Sequence, residues 1–171
     1  PIPMRNGENV KTGTAFHAWI ERELKLVGAG TGDPEEEPPT TLTDGDDKTL
    51  TEIIDAFELP TGWTPKAIEH QIVATTPQTG YPVKGRVDAV FDTPQGTVLV
   101  DWKTRKAPVG FVDAKTARQY ATQLELYQQA WKEATGEDAQ AQIVFATPGG
   151  VQHLPLTKLE TLTTDGGPIA A

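Results

Sequence analysis

Apolar residues at Phe16, Trp19, Ile20, Leu24 and Val27 recur near the helical period and predict an amphipathic helix over 14–27, stopped by Gly28. Residues 28–47 break the period with Gly, Pro, Thr and acids, which reads as an exposed loop. Thr49-Leu50-Thr51-Glu52 has the form of a capping box and opens a short helix to about Phe57. Three strand-like stretches follow at 67–75, 81–91 and 97–104, joined by a Thr79-Gly80 turn and an Asp-Thr-Pro-Gln-Gly turn, so they read as antiparallel neighbours. A strong helix is predicted over 114–135, with Tyr120, Leu124, Tyr127 and Trp131 on one side and Gly136 behind it. The β-branched run 142–146 pairs with 151–156 across Pro148-Gly149-Gly150. The order is helix, helix, three strands, helix, two strands: an α/β domain with helices flanking a mixed sheet.

The 171 residues suit one domain, with a core over about 10–156, an acidic exposed loop at 28–47 and a linker-like tail at 157–171. The start at Pro1 rather than Met, with Pro3 close behind, reads as a piece excised from a larger protein. The chain has no cysteine, which excludes disulfides, zinc ribbons and iron–sulfur clusters. No apolar run approaches the roughly 20 residues of a membrane span and no signal peptide opens the chain, so a cytoplasmic location is expected.

A net charge of −9 argues against a nucleic-acid partner until its distribution is considered. Residues 33–47 hold seven acids and no Lys or Arg, leaving −2 for the rest. Residues 103–118 instead carry Lys103, Arg105, Lys106, Lys115 and Arg118 against Asp113 alone. A basic band of that kind suits phosphate contact, although a solvated face has the same composition.

The chemistry centres on Gly85-Arg86-Val87-Asp88 and Val100-Asp101-Trp102-Lys103. Strand side chains alternate, so Leu99, Asp101 and Lys103 share one face while Val98, Val100 and Trp102 point into a core on the other. A suitable hairpin register sets Asp88 beside Asp101. Two adjacent carboxylates repel unless a cation lies between them, and oxygen ligands suit Mg²⁺ or Mn²⁺. Such an ion lowers the pKa of bound water and stabilises charge on phosphate, and Lys103 adds a compact positive charge. Alone, Asp-x-Lys on a strand is equally an exposed ion pair.

Two further elements stand in order around it: Gly13-Thr14-Ala15-Phe16-His17, with His17 expected on the first turns of its helix, and Gln123-Leu124-Glu125-Leu126-Tyr127. The whole set, 13–127, resembles the RecB-type branch of the PD-(D/E)xK nucleases, whose pattern runs Gly-x-x-x-His, strand Glu, Gly-x-x-Asp, Asp-x-Lys, Gln-x-x-x-Tyr. The resemblance implies a restriction-endonuclease-like core and metal-dependent hydrolysis of DNA. It implies His17, Asp88, Asp101 and the Trp102 backbone carbonyl as metal ligands, and Lys103, Asp101, Asp88 and Glu69 as catalytic residues. It also implies Gln123 and Tyr127 as site support and substrate contact; Arg86 and Arg105 join them as candidate phosphate contacts, and Glu21 as a candidate to orient His17. Their alternatives are ordinary ones: a packed histidine, an ion-paired Glu69, a helix-packing Tyr127.

RecB-type domains are commonly fused to UvrD-like helicase motors in AdnAB-, AddAB- and RecBCD-like machines for DNA end processing and double-strand break repair. Such a motor, in cis or as a partner subunit, is the implied partner, with single-stranded or unwound DNA ends as substrate. Without cysteine, the chain departs from members with an iron–sulfur cluster and points towards an AdnAB-like type. A free-standing exonuclease and a catalytically silent DNA-binding or docking module are the rivals. Gly28 to Gly32 has glycines like a dinucleotide loop but follows a helix, so no nucleotide cofactor is expected.

Overall fold

A computed structural model describes residues 6–26, 44–75 and 80–169. In chain order the elements are α1 (Asn6–Leu24), α2 (Asp44–Ala56), β1 (Thr64–Thr75), β2 (Pro82–Thr93), β3 (Gly96–Thr104), β4 (Phe111–Val112), α3 (Ala114–Thr135), β5 (Gln140–Thr147), β6 (Gly150–Pro155), α4 (Leu156–Leu162) and β7 (Gly167–Pro168). The central sheet has the order β1-β2-β3-β5-β6. Its one parallel pair is β3 with β5, made possible by the α3 crossover, and its other pairs are antiparallel. The mixed sheet flanked by helices is the α/β architecture expected.

Alternation along the strands builds two cores. Leu99, Ile143 and Phe145 pack with Leu124 and Trp131 of α3 and with Leu156, Leu159 and Leu162 of α4. Val98, Val100, Trp102, Val144 and Ala146 pack on the opposite face with Phe16, Ile20 and Leu24 of α1 and Ile53 of α2. The strand β3 therefore lies between two helical layers, buried from Thr97 through Trp102.

Helix α3 has the predicted bounds because both ends are chemically marked. Asp113 Oδ1 accepts from the Thr116 N–H at 2.8 Å, and Gly136, at φ 74°, donates its N–H to the Lys132 carbonyl at 2.8 Å.

Elsewhere the pattern misleads. Helix α1 begins at Asn6 rather than at 14, in a polar stretch without apolar period, so His17 sits in mid-helix rather than on the first turns. Helix α2 begins at Asp44 rather than Thr49, so residues 44–47 of the expected acidic loop belong to a helix. The remainder of the acidic loop, residues 28–43, lies outside the described residues, as do Val27 of the expected first helix and Thr79 of the expected turn.

Residues 157–169 are not a linker. Leucines 156, 159 and 162 are buried at helical spacing, and β7 pairs with β4 through Phe111↔Pro168 and Val112↔Gly167. That junction needs Gly166, at φ 72°, because a Cβ there would lie 2.7 Å from the Val112 carbonyl oxygen.

Candidate active site

The β1–β2 register runs Ile68↔Ala89 and then His70↔Val87, which sets Glu69 across from Asp88. The β2–β3 ladder ends at Ala89↔Val100, which sets Asp88 just beyond it, on the side of Asp101. Three carboxylates thus form a row across adjacent strands. Past the ladder's end the Asp88 carboxylate replaces the missing strand partner, its Oδ2 accepting from the Trp102 N–H at 2.8 Å.

A cleft of about 540 Å³ opens over this row, lined by Gly13, His17, Arg86, Asp88, Asp101, Trp102, Lys103, Thr104, Arg105, Gln123 and Tyr127. Nearly every residue singled out from sequence is there. His17 comes from the α1 side, its Nδ1 3.7 Å from Asp88 Oδ1 and its Nε2 3.2 Å from the Trp102 carbonyl. A carbonyl only accepts, so Nε2 carries the hydrogen in that contact. Lys103 Nζ lies 3.1 Å from Asp101 Oδ2. From α3, the Gln123 amide donates to Tyr127 Oη at 2.7 Å and, at a long 3.4 Å, to Asp101 Oδ1.

Glu69 departs from the group. It has a positive φ of 48°, and its Oε2 pairs with Arg86 Nη1 at 3.4 Å. It lines the narrow crevice beside His17 and Asp88 rather than the cleft. Glu21, expected to orient His17, accepts from Lys25 at 2.7 Å instead. Of the basic run 103–118, Lys103 and Arg105 reach the cleft, whereas Arg118 donates to the Thr163 carbonyl at 2.8 Å and ties α3 to the end of α4.

The electrostatics are those of a site short of positive charge. Burial first, and the Asp101 charge second, raise Asp88 from 3.8 to about 6, against the opposing pull of His17, the Trp102 N–H and Lys103. Asp101 is buried, and its Oδ2 has no hydrogen-bond partner, since Lys103 approaches at ion-pair distance without hydrogen-bond geometry. Burial and the Asp101 charge push the Tyr127 hydroxyl up to about 12, which keeps it neutral. Among the described residues no three His, Asp or Glu side chains are gathered tightly enough to form a finished metal cage. The donor chemistry nonetheless fits a hard divalent cation: two converging carboxylates, one with a buried oxygen that has no hydrogen-bond partner, plus an imidazole and a carbonyl at the rim.

Among known proteins, the sequence profile of the PD-(D/E)XK nuclease superfamily matches residues 3–165. The chain belongs to the PD-(D/E)XK nuclease superfamily. Among solved structures, this nuclease resembles a protein from Eubacterium rectale provisionally described as an exonuclease. The TM-score is 0.54 at 14% identity, over 92% of this chain and 70% of that one, a likeness of fold. A second structure, SSO0001, has a TM-score of 0.35 at 16% identity over 56% of this chain and 48% of its own, too distant to carry an argument. No curated protein matches the sequence.

Sequence reasoning missed Tyr120 as a site residue. Its ring lies 5.5 Å from Lys103 Nζ and its hydroxyl accepts from Arg105 Nη2 at 3.0 Å. The available signal was spacing: Tyr120, Gln123 and Tyr127 follow one helical face of this PD-(D/E)XK nuclease. Among the described residues no helix is long and apolar enough to cross a membrane.

Proposed function

We propose that this nuclease hydrolyses DNA phosphodiester bonds with Mg²⁺ or Mn²⁺, at the site formed by Asp88, Asp101 and Lys103. The observation that carries the reading is the convergence of Asp88 and Asp101 in one cleft beside Lys103, whose ammonium stands 3.1 Å from the buried Asp101 Oδ2 at ion-pair distance without completing a hydrogen bond. Asp88, Asp101, His17 and the Trp102 carbonyl would hold the cation. When bound, it lowers the pKa of a water ligand and withdraws charge from the phosphate.

The chain's own residues supply the rest. Lys103 places an ammonium where charge grows on the attacked phosphate. Arg86 and Arg105, on two edges of the cleft, bind neighbouring phosphates. The Trp102 N–H fixes Asp88, while Gln123 and Tyr127 orient Asp101. Water attacks phosphorus in line, its proton passes to solvent, and the 3′-oxygen departs with a proton, leaving a 5′-phosphate. Glu69 steadies Arg86 at the margin of the reaction.

The order of motifs supports a RecB-type helicase–nuclease acting on single-stranded or unwound ends, with the motor in cis or as a partner subunit. Co-purification and the full coding sequence test that part: a UvrD-like motor is expected in cis or as a partner subunit, and a nuclease with neither is a free-standing exonuclease. The chemistry is tested by incubating linear and single-stranded DNA with the protein and Mn²⁺ or Mg²⁺. Degradation is expected, abolished by chelation and by Asp101→Ala. Activity equal in Asp101→Ala would sink the assignment, and no cleavage under any divalent cation would leave a silent nuclease fold.

A further inference from the structure

Asp101, Lys103 and Arg105 follow one another at two-residue spacing along β3 and just past its end, so alternation turns them to the face that α3 covers. Helix α3 meets them with Tyr120, Gln123 and Tyr127. Gln123, itself bonded to Tyr127, attends to Asp101, and Tyr120 attends to the other two. Its ring centroid is 5.5 Å from Lys103 Nζ and its Oη accepts from Arg105 Nη2 at 3.0 Å. Tyr120 is itself half-buried against Phe145, ring centroids 6.4 Å apart, and Phe145 is the β5 register partner of Lys103. Arg105 is held from three further directions: its Cζ lies 5.3 Å from the Phe145 ring, its Nη1 donates to the Thr104 carbonyl at 2.7 Å, and its backbone N–H extends the ladder to Ala146 at 3.1 Å.

We propose that Tyr120 is a positioning residue with two separable actions: its ring face holds the Lys103 ammonium beside Asp101, and its hydroxyl fixes the Arg105 guanidinium for a substrate phosphate. The proposal rests on the reading of Lys103 as catalytic and Arg105 as a phosphate contact. Long cationic side chains at a cleft mouth sample many rotamers, and an aromatic face with a hydroxyl rim restrains both at once.

Steady-state cleavage of a single-stranded oligonucleotide with Mn²⁺ separates the two actions. Tyr120→Phe keeps the ring and loses the hydroxyl. KM is expected to rise by up to about tenfold with kcat held within about twofold. Tyr120→Leu loses both, and kcat is expected to fall as well, by about tenfold. In an Arg105→Ala background Tyr120→Phe should raise KM no further, because the hydroxyl acts through Arg105. Additive KM effects in that cycle, or a kcat for Tyr120→Leu equal to that of Tyr120→Phe, would overturn the proposal. If circular dichroism shows Tyr120→Leu unfolded, the Arg105 cycle decides alone. Lys103→Ala with undiminished kcat would remove the underlying reading. An inactive Lys103→Ala with an additive cycle overturns only the role of Tyr120.

Discussion

The two flanks of the cleft are built to different standards. On the α3 flank, Asp101 is met by Gln123, which Tyr127 holds, and Lys103 and Arg105 are met by Tyr120. On the α1 and β1 flank the side chains meet as charge pairs instead: His17 is 3.7 Å from Asp88, Arg86 is 3.4 Å from Glu69, and Glu69 keeps a left-handed backbone. One flank is preorganised by α3 side chains, and the other holds Asp88, whose buried charge its neighbours only partly offset. The proposed cation would sit at the seam between the two, where Asp88 is raised to about 6 and Asp101 Oδ2, ion-paired with Lys103, has no hydrogen-bond partner.

The largest expected effects come from breaking the seam. Asp101→Asn should lower kcat on the order of a thousandfold, as loss of an essential charge-stabilising group does. Asp88→Asn should cost as much activity. Its metal-free stability above about pH 7 should hold or rise, because it removes a charge that folding disfavours there. Cleavage rates paired with thermal melts check both, and a fully active Asp88→Asn would place the cation away from the seam.

Next in size is the coupling between metal and pH. A carboxyl raised from 3.8 to about 6 binds its proton more tightly in the folded chain, so without metal its contribution to stability is lost as pH rises through that window. A bound cation supplies the charge that Asp88 lacks and offsets that loss. The Mn²⁺-induced rise in Tm should therefore be large near about pH 8 and shrink as pH falls through about 6. Melts with and without Mn²⁺ across that range test it, and equal increments at both ends would refute it.

His17→Ala should do less. His17 sits at the rim of the seam, and its Nε2 already touches the Trp102 carbonyl at 3.2 Å. Removing it is expected to weaken apparent Mn²⁺ affinity by about tenfold, with kcat at saturating metal changed far less. A kcat loss matching that of Asp101→Asn would give His17 a part in the chemistry itself.

The same contrast governs what could be read from the sequence. The α3 flank was legible because periodicity marks it: alternation along β3 separates Asp101 and Lys103 from Val100 and Trp102, and Asp113 and Gly136 bracket the helix. The long polar start of α1 was not legible, since Asn6 to Gly13 shows no apolar stripe, and so the depth of His17 in its helix was misjudged. Leu156, Leu159 and Leu162 did carry a helical stripe, but one too short to outweigh the Thr- and Gly-rich tail around it. Glu69 shows a deeper limit. Its place in the acidic row follows from register, but its turn towards Arg86 depends on a left-handed φ that no spacing rule gives. Tyr120 was visible as an apolar position on α3, and its polar use emerges only when Arg105 is brought across from β3.

The smallest effect expected is that of Tyr127→Phe, and it tests whether the α3 flank supports or reacts. Its hydroxyl, pushed up to about 12, stays neutral and accepts from Gln123 at 2.7 Å. Phenylalanine keeps the ring against Gly85 and Ile72 and frees the Gln123 amide to close its long contact with Asp101. One neutral hydrogen bond is lost, worth about 1 kcal/mol, so kcat should drop by no more than about fivefold with the metal dependence unchanged. Gln123→Ala should cost somewhat more, because it withdraws a donor from Asp101 itself. If Tyr127→Phe instead abolished cleavage, the α3 flank would hold a reacting group, and the division between a preorganised side and a cation-dependent side would fail.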